Sequence, residues 1–407
     1  MTSASGAAVA RAALRPGVIL VGLLLIAANL RASITSVGPV LGELQQDLGL
    51  PSAAASALIS LPLLAFAVVS PFAPALARRL GLEQALALAL GVLALGIVLR
   101  SLPVAGLLWV GTILLGVAIA LVNVELPALV KRDFPARIGQ VTGTYSAVQA
   151  AFAALAAGLA VPVAGDDPSG WRLALGMWAG LAVIALAVFA PQLRRHDVVP
   201  PADDDLSLDE LRHPDPAGRS PWSSALGWQV TAFMGLQSLA FYVIITWLPS
   251  IERVAGIDAA EAGLHQLLFN GAAIAGSLAA SALIPRLRDQ RLLATVAPGL
   301  IATALLGILL APGLTAIWVC VAGVSGGVCI VVALSLFGLR TDHHTQAAAL
   351  SGMAQSVGYL LAAAGPLLIG ALHDLTGSWT PGLITLIGTT LLLVVAGLFA
   401  GRRRVIG

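Results

Sequence analysis

Twelve long, nearly uncharged apolar runs dominate this chain, and no other feature restricts its fold so severely. Read between charged residues and Pro/Gly punctuation, they fall at about 17–40, 53–76, 84–101, 105–129, 138–162, 173–191, 225–249, 261–285, 291–310, 314–338, 346–371 and 379–400. Each matches the roughly 20 apolar residues that a helix needs to cross a bilayer. Of 407 residues, 58% are hydrophobic and 10% charged, against about 25% charged in a soluble domain. A soluble fold is therefore excluded. The runs are continuous rather than short and alternating, which excludes a transmembrane barrel. The expected fold class is an all-α membrane protein with twelve transmembrane helices, multi-pass in a bacterial inner membrane. The first run continues to Pro39 without a cleavage site, so it reads as a membrane helix and not as a signal peptide.

Charge placement tests the count. With the N-terminus in the cytoplasm, the cytoplasmic segments collect Arg11, Arg15, Arg78, Arg79, Lys131, Arg132, Arg137, Arg194, Arg195, Arg212, Arg219, Arg286, Arg288, Arg291, Arg340, Arg402, Arg403 and Arg404. These are 18 of the 22 Lys and Arg residues. Arg31, Arg100, Arg172 and Arg253 remain. The opposite loops carry acids: Glu43, Asp47, Asp166, Asp167, Glu252 and Asp258. Cytoplasmic loops are enriched in Lys and Arg, and a miscount of one span would scramble the split. Both termini are expected in the cytoplasm.

One long polar stretch interrupts the pattern, Gln192 to Pro221, with six acids and several prolines. It reads as a linker between a six-helix half at 1–191 and a second at 222–407. The halves echo each other at an offset of about 209 residues. Thr142-Gly143 with Tyr145 and Gln149 corresponds to Ser351-Gly352 with Gln355 and Tyr359, and Arg78-Arg79 to Arg286 and Arg288. Pro39 and Pro249 correspond as the ends of the first and seventh spans. Duplicated halves imply a solute site between them near mid-membrane.

Polar residues inside the spans are candidates for that site. Arg31 lies about 21 Å along the first helix. Insertion of an arginine there costs about 2.5–3.5 kcal/mol. Ala27, Thr35 and Gly38 share its face. It either serves as the counter-charge of an anionic solute or caps carbonyls at the outer interface. Further polar groups come in i, i+4 pairs: Tyr145 with Gln149, Ser238 with Tyr242, Gln266 with Asn270, and Gln355 with Tyr359; Asn29 and Gln237 lie at similar depth. They fit a polar cavity or ordinary interhelical hydrogen bonding. Glu125 is the only carboxylate well inside a span. It reads either as a proton-coupling group or as a gate partner for Lys131 or Arg132. His265 reads either as a titrating group or as an interfacial one. Cys320 and Cys329 share one apolar run and read as packing residues, and Trp109, Trp171, Trp222 and Trp379 as an interfacial belt. No metal-ligand cluster, phosphate loop, nucleophile motif or cofactor signature is present. The chain reads as no enzyme and as no nucleic-acid binder.

Several blocks resemble the cyanate porter branch of the major facilitator superfamily, which includes cyanate permeases and 2-nitroimidazole transporters. They are NLRASITSVGP (Asn29 to Pro39), NVELPALVKRDFP (Asn123 to Pro135) with TGTYSAVQA (Thr142 to Ala150), and GLQSLAFYVIITWLP (Gly235 to Pro249). The resemblance implies the major facilitator fold, two six-helix bundles, and an alternating-access carrier or permease. The solute would be a small anion such as cyanate or a small planar heteroaromatic, with efflux of 2-nitroimidazole-like drugs as the alternative. Substrate-binding positions would be Asn29, Arg31, Thr35, Tyr145, Gln149, Gln237, Tyr242, Asn270, Gln355 and Tyr359. Coupling or gating positions would be Glu125, His265, Arg78 and Arg79, with protons as a candidate coupling ion. One departure stands out. In PALARRLGLE (Pro74 to Glu83), Arg78 occupies the place where the superfamily carries Asp, and Glu83 a place where it carries a base.

Overall fold

A computed structural model describes residues 16–50, 52–104, 106–165, 167–194, 220–257 and 259–406. Asp166, Asp258, Arg11, Arg15, Arg195, Arg212, Arg219 and most of the 192–221 stretch lie outside the described residues. Among those described there is no strand. Eleven helices are long and apolar enough to cross a membrane, and twelve if a bent pair counts as one span. The spans are Pro16–Thr35, the bent pair Ser52–Val69 with Ala73–Leu80, Leu82–Ser101, Leu107–Asp133, Ile138–Ala164, Trp171–Gly176 continued by Trp178–Phe189, Ala225–Val254, Ala259–Leu283, Arg291–Leu310, Thr315–Leu339, His344–Thr376 and Thr380–Ala400. Below they are spans one to twelve. The end that gathers Arg78, Lys131, Arg132 and Arg340 is the basic end, and the end with Asp47 and Glu252 the acidic end.

Prolines shape the helices in two ways. In span two the helix bends by 60°. Pro71 lacks the N–H that would take the carbonyl of Ala67, and the Ser356 hydroxyl of span eleven donates to that carbonyl instead, at 2.7 Å. A freed carbonyl is thus satisfied inside the protein, which is how a spanning helix tolerates proline. Pro249, by contrast, does not end span seven; the helix runs on to Val254. This carries Glu252 into the helix and buries it at 1% exposure, whereas the sequence placed it in an outer loop. Span one ends at Thr35 and is followed by a 3-10 turn, Gly38–Val40, and a short helix, Leu41–Leu48. The sequence had read one continuous run to residue 40.

That short helix buries Leu44 and leaves Glu43 and Asp47 outside. Asp47 accepts from the Trp171 indole at 3.0 Å and from Arg172 at 3.2 Å. Trp171 is fully buried and packs with Val40 and Leu44 after span one, Leu58 of span two, Leu108 of span four and Ala160 and Ala164 of span five, rather than standing in an interfacial belt. Trp379 is also buried and stacks on His373 at 3.9 Å. Both cysteines are free.

Arg100, counted from the sequence among the outer charges, is buried at 2% exposure. Its guanidinium donates to the carbonyl of Ser33 at 2.7 Å. In a regular helix the Val37 N–H would take that carbonyl, but it bonds to Ile34 instead. Arg100 therefore caps the end of span one, satisfying an acceptor that lipid could not.

Spans seven and eleven pack back to back at Gly235 and Gly358, and the Trp247 indole of span seven donates to the Pro366 carbonyl of span eleven at 2.8 Å. The two bundles meet through spans two, four and five on one side and spans eight, ten and eleven on the other. The bonds across this seam cluster toward the basic end. Ser356 donates to Ala67 at 2.7 Å, Gln355 to Asn123 at 2.8 Å, and Ser281 to Gln140 at 2.8 Å, each to a backbone carbonyl. Glycines permit the closeness: a Cβ at Gly143 would overlap Ser281, and one at Gly352 would meet the Ser70 carbonyl at 2.8 Å. The basic end is closed in this conformation.

A valine at position 143 is expected to prevent that closure. Overpacking costs about 1–3 kcal/mol, a shift of about 5- to 150-fold toward states with the seam apart. Amide exchange at 138–143 and 281–284 should accelerate accordingly in Gly143→Val. Unchanged protection would show that the contact is not what holds the seam.

Candidate functional site

Span one brings Arg31 to the interface of the two bundles within a largely apolar interior. Its guanidinium stands 5.6 Å from the centroid of the Phe241 ring, on span seven. The Tyr242 hydroxyl faces the same guanidinium, and Tyr359 lies within range of both. Tyr145, on span five, lies in turn beside Tyr359 and Thr142. The chain holds only three tyrosines, and all three gather here, from spans five, seven and eleven. Phe66 of span two completes the wall, 5.1 Å from the Tyr359 ring. Phe241 also meets Tyr242 at 5.4 Å and Phe269 at 6.0 Å. Among the described residues no carboxylate pairs with Arg31.

This arrangement has a definite chemistry. A guanidinium presents a planar fork of donors that matches paired oxygens and also stacks on aromatic faces. Rings on several sides supply flat apolar area with little conformational entropy to lose.

The remaining expected site residues are distributed less uniformly. Thr35 is tied down, its hydroxyl shared between the carbonyls of Arg31 at 3.0 Å and Ala153 at 3.1 Å. Gln149 is buried one turn from Tyr145. Gln355 bonds to Asn123 and, at 2.8 Å, to Ser351, so it sits in the seam. Gln237 donates to Ser238 at 2.7 Å on its own helix. Asn270 donates back to the Gln266 carbonyl at 2.8 Å. Asn29 donates to Leu25 at 2.8 Å and to Leu181 of span six at 3.4 Å, which directs its amide into the first bundle rather than toward Arg31.

The charged gating candidates separate into distinct clusters. Arg78 and Arg79 are exposed at the basic end of span two. Arg132 bonds to Glu83 at 2.6 Å and to Asp133 at 3.0 Å. Lys131 faces Asp342 across the seam. Glu125 bonds to neither Lys131 nor Arg132. It is 1% exposed, and both of its oxygens lack a hydrogen-bond partner. His265 bonds through Nδ1 to Glu252 at 3.0 Å, tying span eight to span seven near the acidic end.

Four contacts escaped the sequence reading. Phe241 and Phe66 look like ordinary apolar residues of a membrane helix. Only the i, i+4 relation of Gln237 to Phe241 places the latter on the polar face. The Glu252–His265 pair was hidden because Pro249 was read as a helix end. The bond from Arg132 to Glu83 recurs in the second half, where Arg340, 208 residues on, bonds to Gln290 at 2.5 Å; that offset was a usable signal.

Comparison with known proteins agrees with the fold. Residues 23–363 match the family model of the Major Facilitator Superfamily. The chain is 42% identical over 391 residues to the uncharacterized transporter YycB of Bacillus subtilis, covering 95% of this chain and 94% of that one. It is 41% identical over 386 residues to a 2-nitroimidazole transporter of Escherichia coli, 95% of each. It is 27% identical over 370 residues to the cyanate transport protein CynX of the same organism, 89% and 91% covered. Among solved structures, the proton:xylose symporter XylE superposes with a TM-score of 0.75 over 94% of both chains at 14% identity. With twelve spans in two bundles and relatives at this identity along nearly its whole length, the chain is a small-solute transporter that belongs to the Major Facilitator Superfamily, on the branch of the 2-nitroimidazole and cyanate porters.

Proposed function

We propose that this protein carries a small planar solute with anionic or electron-rich oxygens across the inner membrane, binding it against Arg31 and exposing it alternately at the two ends. The observation that carries this reading is the Arg31 guanidinium without a carboxylate partner, walled by Phe241, Tyr242 and Tyr359. A nitro group on a flat ring fits such a wall, and so does an aromatic carboxylate. The relative named as a 2-nitroimidazole transporter, at 41% identity, supports this order of preference over cyanate, whose porter is 27% identical. Cyanate, a linear anion without a ring, needs only the charge and is the second reading. In this scheme the halves at 1–191 and 222–407 rock about the site, joined by 192–221. The basic end and both termini face the cytoplasm, as the concentration of Lys and Arg there requires.

Flux into proteoliposomes tests both solutes. Saturable 2-nitroimidazole flux is expected, inhibited by flat aromatic carboxylates and weakly by cyanate. Phe241→Ala should weaken the ring solute by about 3- to 10-fold, the worth of an aromatic contact of about 0.5–1.5 kcal/mol, and leave cyanate unaffected. Cyanate flux that 2-nitroimidazole does not inhibit would overturn the aromatic reading.

A further inference from the structure

Arg100 caps the end of span one, but that task uses only part of its side chain. A guanidinium offers five N–H donors and a permanent positive charge. At 2% exposure, Arg100 donates to the Ser33 carbonyl at 2.7 Å and to the Leu175 carbonyl of span six at 3.5 Å, and its Nε has no hydrogen-bond partner. Carbonyl dipoles satisfy donors without cancelling a charge. The acids of the acidic end are engaged elsewhere or stand in the open: Asp47 accepts from Trp171 and Arg172, and Glu43 is exposed. Among the described residues no carboxylate acts on Arg100. A buried cation is strongly disfavoured until an opposite charge reaches it.

A cavity lies against this guanidinium. Arg100 shares its wall with Ile34 of span one, Leu58 and Pro62 of span two, Thr112 and Leu115 of span four, and Leu175 of span six. It holds about 20 Å³, room for one body the size of a water molecule or a halide ion. The side chains of the wall are apolar apart from Arg100 and Thr112, and the Thr112 hydroxyl gives its proton to the Leu108 carbonyl at 2.7 Å.

The second bundle supplies a comparison. At the repeat offset of 209 residues, Ile34 corresponds to Val243 and Arg100 to Leu309. A cavity of about 10 Å³ lies there too, with Val243, Ile308 and Leu383 in a wholly apolar wall. A gap at this place is thus common to both halves and needs no charge to form. The first half alone sets a cation beside it. A neutral donor could also cap Ser33, so the charge serves the cavity rather than the cap.

We propose that the Arg100 cavity binds a single monovalent anion of chloride size, at a site separate from Arg31. The ion accepts from Nε and neutralises the guanidinium inside the bundle. Three features set its class. One positive charge calls for one negative charge. The volume admits a halide and excludes sulfate or phosphate. The apolar remainder of the wall does not replace the water shell of a strongly hydrated anion, which favours chloride and bromide over fluoride. Ser33 lies two residues beyond Arg31, so the ion steadies, through Arg100, the helix that carries Arg31. The proposal does not depend on which solute is carried.

The test melts the purified full-length protein while sodium chloride replaces sodium gluconate at constant ionic strength. Saturable stabilisation of about 2–4 °C is expected, with bromide equivalent and sulfate without effect. Crystals grown in bromide should show an anomalous peak in contact with Arg100 Nε. Arg100→Gln, which keeps a donor without the charge, should lose the response. Thr112→Ile, which fills the cavity and leaves the arginine in place, should lose it too. A wild type that melts alike in chloride and gluconate overturns the proposal and leaves the cavity to water. Sulfate as effective as chloride overturns it as a surface effect. A response of wild-type size in Thr112→Ile does the same, as does a bromide peak at Arg31 with none at Arg100. If Arg100→Gln does not fold, the isoleucine variant and the bromide peak decide. None of these readouts involves solute flux, so a failed substrate reading leaves them standing.

Discussion

Arg31→Gln is expected to abolish measurable solute binding while leaving the fold intact. Truncating one partner of a buried, hydrogen-bonded charge contact costs about 2–5 kcal/mol, so affinity should fall by at least about 30-fold. Titration calorimetry of the purified protein with 2-nitroimidazole reads this directly. Arg31→Lys should recover little, because an ammonium offers neither the planar fork nor the face that lies over Phe241. Thermal stability should stay level or rise, since a desolvated cation is removed from the interior. Binding of wild-type strength in the glutamine variant would show that Arg31 is a structural residue and that the aromatic wall recognises something else.

Arg340→Met should give the largest loss of stability, with a smaller effect on binding. Arg340 is 2% exposed at the basic end of span ten. Its guanidinium donates to the carbonyls of Ala400 and Gly401, both at 2.9 Å, to that of Leu339 at 3.2 Å, and to Gln290. Its own carbonyl accepts from Ile406 at 2.9 Å. One side chain thus joins spans nine, ten and twelve and satisfies the carbonyls that end span twelve. Methionine would remove the side-chain donor from the Ala400 carbonyl and the Gln290 side chain, the Gly401 carbonyl keeping the Gln290 N–H at 3.0 Å, at about 3 kcal/mol in sum, or about 5 °C in melting temperature. Lysine, a point charge on a flexible stem, should restore less than half. A methionine variant that melts within about 1 °C of wild type would refute this account of the terminus. The corresponding residue of the first half, Arg132, grips Glu83 instead, so the two halves use one architectural device with different chemistry.

Much of the molecule was legible in its order of residues. A bilayer admits backbone only as closed hydrogen-bonded structure, so apolar length alone determined the membrane-spanning helices, twelve with the bent pair counted as one. Span nine, read from its flanking charges, coincides with Arg291–Leu310. Errors arose where proline acts by context. Pro249 was taken as a terminus and is interior, the helix running on to Val254. Span two was read as one run at 53–76 and is two helices bent by 60°.

The site was legible in part, for a related reason. Arg31 declares itself, since charge inside a span is costly wherever the helix packs. The amides do not: Gln237, Asn270 and Asn29 have the same composition and depth as cavity residues, yet each finds a hydrogen-bond partner in its own helix or bundle. The sequence determined, by itself, the class of protein, the placement of its spans and the presence of a cation, Arg31, inside the first of them. The tertiary structure alone decided which rings surround that cation, that Glu125 stands without a hydrogen-bond partner, and that Glu252 reaches His265. Hydropathy is a property of each residue and survives in one dimension. A hydrogen-bond partner or an aromatic wall is a relation between helices far apart in the chain, and it exists only once they pack.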